Sequence, residues 1–122
     1  MFEIFMAICA LTVLECGSVT VVYDPLPDEN WHAVAGYDLD GNYYIIIDPA
    51  MEEKSDKFKR QLMVHEIAHL IAFDLDPNNI KHYGVYEEIC EDLRQLAQVT
   101  GRYTCKPYAT PPPYPWRDTR RE

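Results

Sequence analysis

Residues 62–73 constrain this chain more than any other stretch. The segment is Leu-Met-Val-His-Glu-Ile-Ala-His-Leu-Ile-Ala-Phe, and its only ionisable side chains are His65, Glu66 and His69. Burying ionisable groups among so many apolar neighbours costs several kcal/mol unless a partner compensates them. A bound metal ion is the simplest partner that satisfies all three side chains at once.

The spacing of these three residues supplies a suitable geometry. Positions four apart lie on one face of an α-helix, so His65 and His69 can offer ring nitrogens to the same ion. Glu66 projects beside that face, where it can hold a water next to the ion. The run His65-Glu66-Ile67-Ala68-His69 is the H-E-x-x-H zinc signature. The alternative is a surface helix with two incidental histidines, and the apolar surroundings disfavour it.

Length, composition and charge predict one folded domain. The chain has 122 residues, of which 48% are hydrophobic and 25% charged, and its formal net charge is -9. Residues 1–101 carry eighteen Asp and Glu against six Lys and Arg, whereas residues 102–122 carry two against five. An acidic body repels phosphate backbones, so we expect no strong nucleic-acid binding.

The four cysteines are Cys9, Cys16, Cys90 and Cys105, and none belongs to a C-x-x-C pair. The sequence therefore does not predict a thiolate zinc site. If residues 2–15 are helical, Cys9 and Cys16 lie about 10 Å apart along the axis, which is too far for a disulfide. We therefore predict reduced thiols and a cytoplasmic protein.

The N-terminal segment is nearly all apolar from Phe2 to Leu14. It has no basic residues before the apolar run and no small-residue cleavage site, and it is too short to span a bilayer. We predict a buried helix that ends by Gly17 and no membrane association. The alternative is that residues 1–17 are a targeting segment of a secreted protein.

The middle of the chain predicts a small, mainly antiparallel sheet of about three strands. Residues 19–23, 32–38 and 43–48 are rich in β-branched and aromatic side chains, and Asp40-Gly41 is a hairpin pattern between the last two. The solvent-facing edge of the last strand, if it is left unpaired, could accept an extended peptide by strand addition.

Two helices and a tail follow the sheet. The first helix is predicted from an N-cap at Ser55 or Asp56 to about Phe73, and the second over residues 77–99. Beyond them the chain is rich in proline and aromatic residues, which predicts a polyproline-type tail. The predicted fold is α+β, with one domain over residues 1–104 and a tail over residues 105–122.

A catalytic zinc site usually has three protein ligands, and two residues could supply the third. His82 follows His69 after twelve residues, and Glu88 follows it after eighteen. If residues 77–99 form one helix, His82 falls near the centre of its apolar stripe, whereas Glu88 falls roughly 130° away. That stripe comprises Tyr86, Ile89, Leu93, Leu96 and Ala97. The helical geometry thus favours His82, with Glu88 as the alternative.

These residues resemble the SprT-like zinc metallopeptidases, including small phage-encoded members. Those proteins have H-E-x-x-H, a spacer of about this length, a third His, and an aromatic residue four positions after it, here His82 and Tyr86. The resemblance covers roughly residues 43–99 and implies a minimal zincin-like fold. The family typically has Gly directly after the third His, where this chain has Tyr83. That difference leaves open a gluzincin or ImmA/IrrE-like alternative, with Glu88 as the ligand.

We therefore predict a zinc-dependent endopeptidase that acts on a protein or peptide substrate. Zn2+ would be held by His65, His69 and His82, and Glu66 would be the general base. Tyr83 or Tyr86 could donate to the oxyanion. In a second hypothesis the chain is a zinc-stabilised binding or regulatory module whose Pro-rich tail recognises a partner protein. In a third, the tail occludes the cleft.

Overall fold

The computed structural model describes residues 1–27, 31–75, 85–101 and 105. Within that part of the chain, three α-helices accompany one three-stranded sheet, so the predicted α+β class is confirmed. Four parts of our predictions lie outside these residues: the start of the second long helix, the candidate ligand His82, the candidate oxyanion donor Tyr83 and the Pro-rich tail beyond Cys105.

The helices are α1 (Phe2–Cys9), α2 (Asp56–Leu75) and α3 (Val85–Leu96), with short 3-10 turns at Cys16–Ser18 and Pro49–Glu53. The predicted cap of α2 is confirmed, because the Ser55 hydroxyl accepts a hydrogen bond from the backbone N–H of Phe58 at 3.2 Å. No described helix is both long and apolar enough to cross a bilayer.

The strands are β1 (Thr20–Tyr23), β2 (Ala33–Tyr37) and β3 (Tyr43–Ile47), close to the predicted positions. The β2–β3 hairpin turns at Gly41, whose φ is +83°, and the Asp38 carboxylate accepts from the backbone amides inside the turn. Glycine suits this left-handed conformation, as the Asp-Gly pattern predicts.

The strand order in this sheet is β1-β3-β2. β2 runs antiparallel to β3, whereas β1 pairs with β3 in parallel, so the sheet is mixed rather than mainly antiparallel. The predicted role of β3 as a peptide-accepting edge is wrong, because β3 is hydrogen-bonded on both sides. Local patterns predict strands but not which neighbours they pair with, and the outer strands of the described sheet are β1 and β2.

The first helix ends much earlier than predicted. After Cys9 the chain turns back, and the Thr12 hydroxyl donates to the Cys9 carbonyl oxygen at 2.7 Å. Cys16 is thereby brought to a Cα–Cα distance of 6.0 Å from Cys9, and the two form a disulfide. Cys90 and Cys105 form a second disulfide. The prediction of reduced thiols is therefore wrong. For Cys9 and Cys16 it assumed a continuous helix to residue 15, and the Cys90–Cys105 pairing depends on tertiary packing that residue spacing does not reveal.

Helix α2 is the centre of the core. Every residue from 61 to 70 is buried, and α1, α3 and β2 pack against this helix. The α3 side of the core departs from the predicted stripe in one respect: Leu96 is exposed, and Cys90 is buried instead. On the opposite face of the sheet, a smaller cluster is formed by Leu26, Val34 and Ile46 with Trp31 and Tyr44.

The Cys90–Cys105 disulfide should contribute measurably to stability. It joins residues 15 positions apart, and a cross-link over such a loop restricts the unfolded chain by about 3 kcal/mol. The double variant Cys90→Ala, Cys105→Ala should therefore lose about that much free energy of unfolding in urea titrations. The matched control, Cys9→Ala with Cys16→Ala, opens a loop of only 7 positions and should lose about 2 kcal/mol. Reactive thiols in the unfolded, unreduced wild type would contradict both pairings.

Candidate metal centre

His65, Glu66 and His69 come together in the middle of α2. One candidate ligand atom from each lies within 4.8 Å of the others, and the two imidazole centroids are 5.1 Å apart. The three residues are only 5%, 2% and 0% exposed. The i, i+4 spacing therefore produces the predicted shared face, and the apolar sequence around it places that face in the core.

The donor set fits a zinc ion. Zinc is commonly bound by imidazole nitrogens and carboxylate oxygens, and two histidines with one glutamate provide both types. Three ionisable groups this deeply buried carry a large desolvation cost, and one cation close to all three would offset it. The same arrangement lets Glu66 contact either the ion or a water beside it.

Tyr86, on α3, covers the two histidines. Its ring stacks on His69 with a centroid distance of 4.2 Å and an interplanar angle of 26°, and it meets His65 edge-on at 5.6 Å. Its hydroxyl donates to the backbone carbonyl oxygen of His65 at 3.1 Å. Since Tyr86 is fully buried and its hydroxyl bonds the helix backbone, the structure disfavours it as an oxyanion donor. The other candidate, Tyr83, lies outside the described residues.

The two candidates for the third ligand are placed differently. Glu88 is exposed on α3 and is not part of the group formed by His65, Glu66 and His69. It lies two positions after Tyr86, which at 3.6 residues per turn puts it on the opposite side of the helix. This agrees with the expectation that Glu88 points toward solvent. His82 lies outside the described residues, so its role stays a prediction.

An aromatic series connects the histidines to the sheet. Phe73, one turn beyond His69, stacks on that ring at 6.1 Å, and Tyr37 of β2 meets Phe73 edge-on at 5.4 Å. Tyr43 of β3 follows at 6.5 Å from Tyr37, and its hydroxyl donates to the Asp74 carboxylate. Burial, and then this carboxylate, raise the pKa of Tyr43, so the phenol stays protonated.

The sequence interpretation missed these aromatic contacts with the site. Phe73 could have been found, because it follows His69 at helical spacing. Tyr86 was predicted on the buried stripe of α3, but its stacking on His69 depends on how two helices pack. His32, the remaining described histidine, is not part of the predicted site. It packs edge-on against Phe58 at 5.4 Å, and burial lowers its pKa.

Comparison of the chain with protein-family models, curated proteins and solved structures finds no match. What the site can do must therefore be inferred from its own residues.

Zinc should stabilise the folded protein through these histidines. At a free zinc concentration about 100-fold above the dissociation constant, a ligand that binds only the native state adds about 3 kcal/mol to the free energy of unfolding. We expect this gain in the wild type and its loss in His69→Ala, measured by urea unfolding with zinc and with a chelator. His32→Ala, which alters a histidine outside the group, should keep the gain. An undiminished gain in His69→Ala would contradict the assignment.

Proposed function

We propose that this chain is a zinc-dependent peptidase. The observation that carries the proposal is the buried group of two histidines and one glutamate on a single helix, at the spacing of the H-E-x-x-H signature. A purely structural zinc site is normally closed by four protein ligands. A glutamate beside two histidines is better suited to a site that also has to move a proton.

Within this proposal, the residues of the chain have distinct roles. His65 and His69 hold the ion, with His82 as the third ligand. When bound, zinc supplies Lewis acidity, which lowers the pKa of water and polarises the scissile carbonyl. The Glu66 carboxylate takes the proton from the attacking water and passes it to the leaving amine. Because Glu66 is almost fully buried, its charge acts in a medium of low dielectric, where electrostatic effects are strong.

The strand order suggests where a substrate could align. β2 is an outer strand of the described sheet and packs against α2, and its Tyr37 contacts Phe73 next to the site. An extended peptide could add along β2 by main-chain hydrogen bonding. β2 therefore has the substrate-aligning role that the sequence predicts for β3.

The cysteines bear on where the protein works. The prediction of a cytoplasmic protein depended on reduced thiols, and both cysteine pairs are disulfides. Disulfides form and persist mainly in oxidising environments. We therefore propose that the protein folds and acts in an oxidising compartment.

The decisive variant for catalysis is Glu66→Gln. It keeps a side chain of similar size but cannot accept a proton, so peptide hydrolysis should fall by about 10²- to 10⁴-fold while zinc content is unchanged. Hydrolysis is followed on an unfolded protein substrate such as casein, and zinc by elemental analysis. The control is Glu88→Gln, which alters an exposed glutamate and should leave the rate unchanged.

Peptide hydrolysis by Glu66→Gln at the wild-type rate would contradict this mechanism. A wild type that binds zinc but hydrolyses no peptide would instead support the zinc-stabilised binding or regulatory module. Deleting residues 106–122 would then test the two hypotheses for the tail. The deletion should abolish partner binding if the tail recognises a partner protein, and it should raise hydrolysis if the tail occludes the cleft.

The third ligand is tested by zinc stoichiometry. His82→Ala should lose bound zinc on dialysis because it leaves the ion with two histidines, whereas Glu88→Ala should keep it. Elemental analysis of the dialysed proteins measures both. Zinc loss in Glu88→Ala alone would identify Glu88 as the third ligand, as in a gluzincin-type site.

A further inference from the structure

Tyr86 makes two separate contacts with the histidine pair. Its ring lies over the imidazole of His69, and its hydroxyl bonds the backbone of His65. In an α-helix the carbonyl of residue 65 also accepts from the N–H of residue 69, and a carbonyl oxygen has two lone pairs. The hydroxyl therefore contacts the very turn that separates the two candidate ligands.

We propose that Tyr86 is a positioning residue that holds His65 and His69 in their metal-binding arrangement. The proposal rests on the zinc site proposed above, but not on the peptidase reaction. The ring restricts rotation of the His69 imidazole, and the hydroxyl fixes the helical turn from which both imidazoles project. An ion then binds histidines that are already oriented, so less conformational freedom is lost on binding.

Helix α3 is anchored well enough to act in this way. One turn after Tyr86, the fully buried Cys90 is disulfide-bonded to Cys105. Near the other end of α3, the Arg60 guanidinium on α2 donates to the Ala97 carbonyl oxygen at 2.7 Å. Both contacts lie C-terminal to Tyr86: the disulfide joins α3 to Cys105, and the Arg60 hydrogen bond joins the residue after α3 to α2. Together with the packing of α3 on α2, they restrict movement of the Tyr86 ring relative to His69.

Two substitutions separate the contacts. Tyr86→Phe keeps the ring and removes the hydroxyl, and it should weaken zinc binding by about 2- to 5-fold, with the net energy of one hydrogen bond as the upper limit. Tyr86→Leu also removes the ring, and it should weaken zinc binding by about 10- to 100-fold, the usual effect of losing a contact that orients metal ligands. Zinc affinity is measured by competition with a chromophoric chelator. Cobalt(II) substitution adds a spectroscopic measurement, in which the visible bands should change in Tyr86→Leu and be preserved in Tyr86→Phe.

The matched control is Phe5→Leu, which removes another fully buried aromatic ring, on α1. It should lower the free energy of unfolding while leaving zinc affinity and the cobalt spectrum as in the wild type. If Tyr86→Leu does not fold, the affinity of Tyr86→Phe decides the question. The positioning role is overturned if Tyr86→Phe binds zinc as tightly as the wild type and Tyr86→Leu either does the same or does not fold. Failure of the wild type to bind zinc would instead overturn the proposed metal site itself.

Discussion

The burial of His65, Glu66 and His69 inside α2 is the constraint on which the rest of this structure depends. The helix is covered on all sides over residues 61–70, so its three ionisable groups have almost no access to bulk water. Such groups are retained in a core only when they are compensated together. Their candidate ligand atoms lie within 4.8 Å of one another, so one cation can compensate all three, and the site and the core are the same part of the molecule.

The covering of α2 is maintained by contacts far apart in the sequence. Helix α3 supplies Tyr86 over the histidines, and a disulfide to Cys105 fixes the same helix to the chain beyond it. On the other side, α1 contributes buried apolar side chains and is closed by the Cys9–Cys16 disulfide. A domain of this size buries a modest fraction of its surface, so covalent closure of two loops is a substantial addition to its stability.

The order of the strands determines which strand lies beside this helix. Because β1 pairs with the far side of β3, the most apolar strand is enclosed and β2 becomes an outer strand packed on α2. The Phe73 and Tyr37 rings then connect the histidines to that strand. The buried group of His65, Glu66 and His69 and an outer strand of the described sheet thereby lie on neighbouring elements, which is the arrangement that the proposed peptide hydrolysis would use.

The sequence by itself determined the features that depend on neighbours a few residues apart. The spacing of His65 and His69, the Ser55 cap, the Asp-Gly turn and the positions of all three strands follow from helical and extended periodicity, and the structure bears them out. Only the tertiary structure decided the cysteine pairing, the central place of β3 and the stacking of Tyr86 on His69. Each of these depends on where the chain turns and which surfaces then meet. Local periodicity carries no information on that, because the same strands and helices can pack in several orders with similar burial.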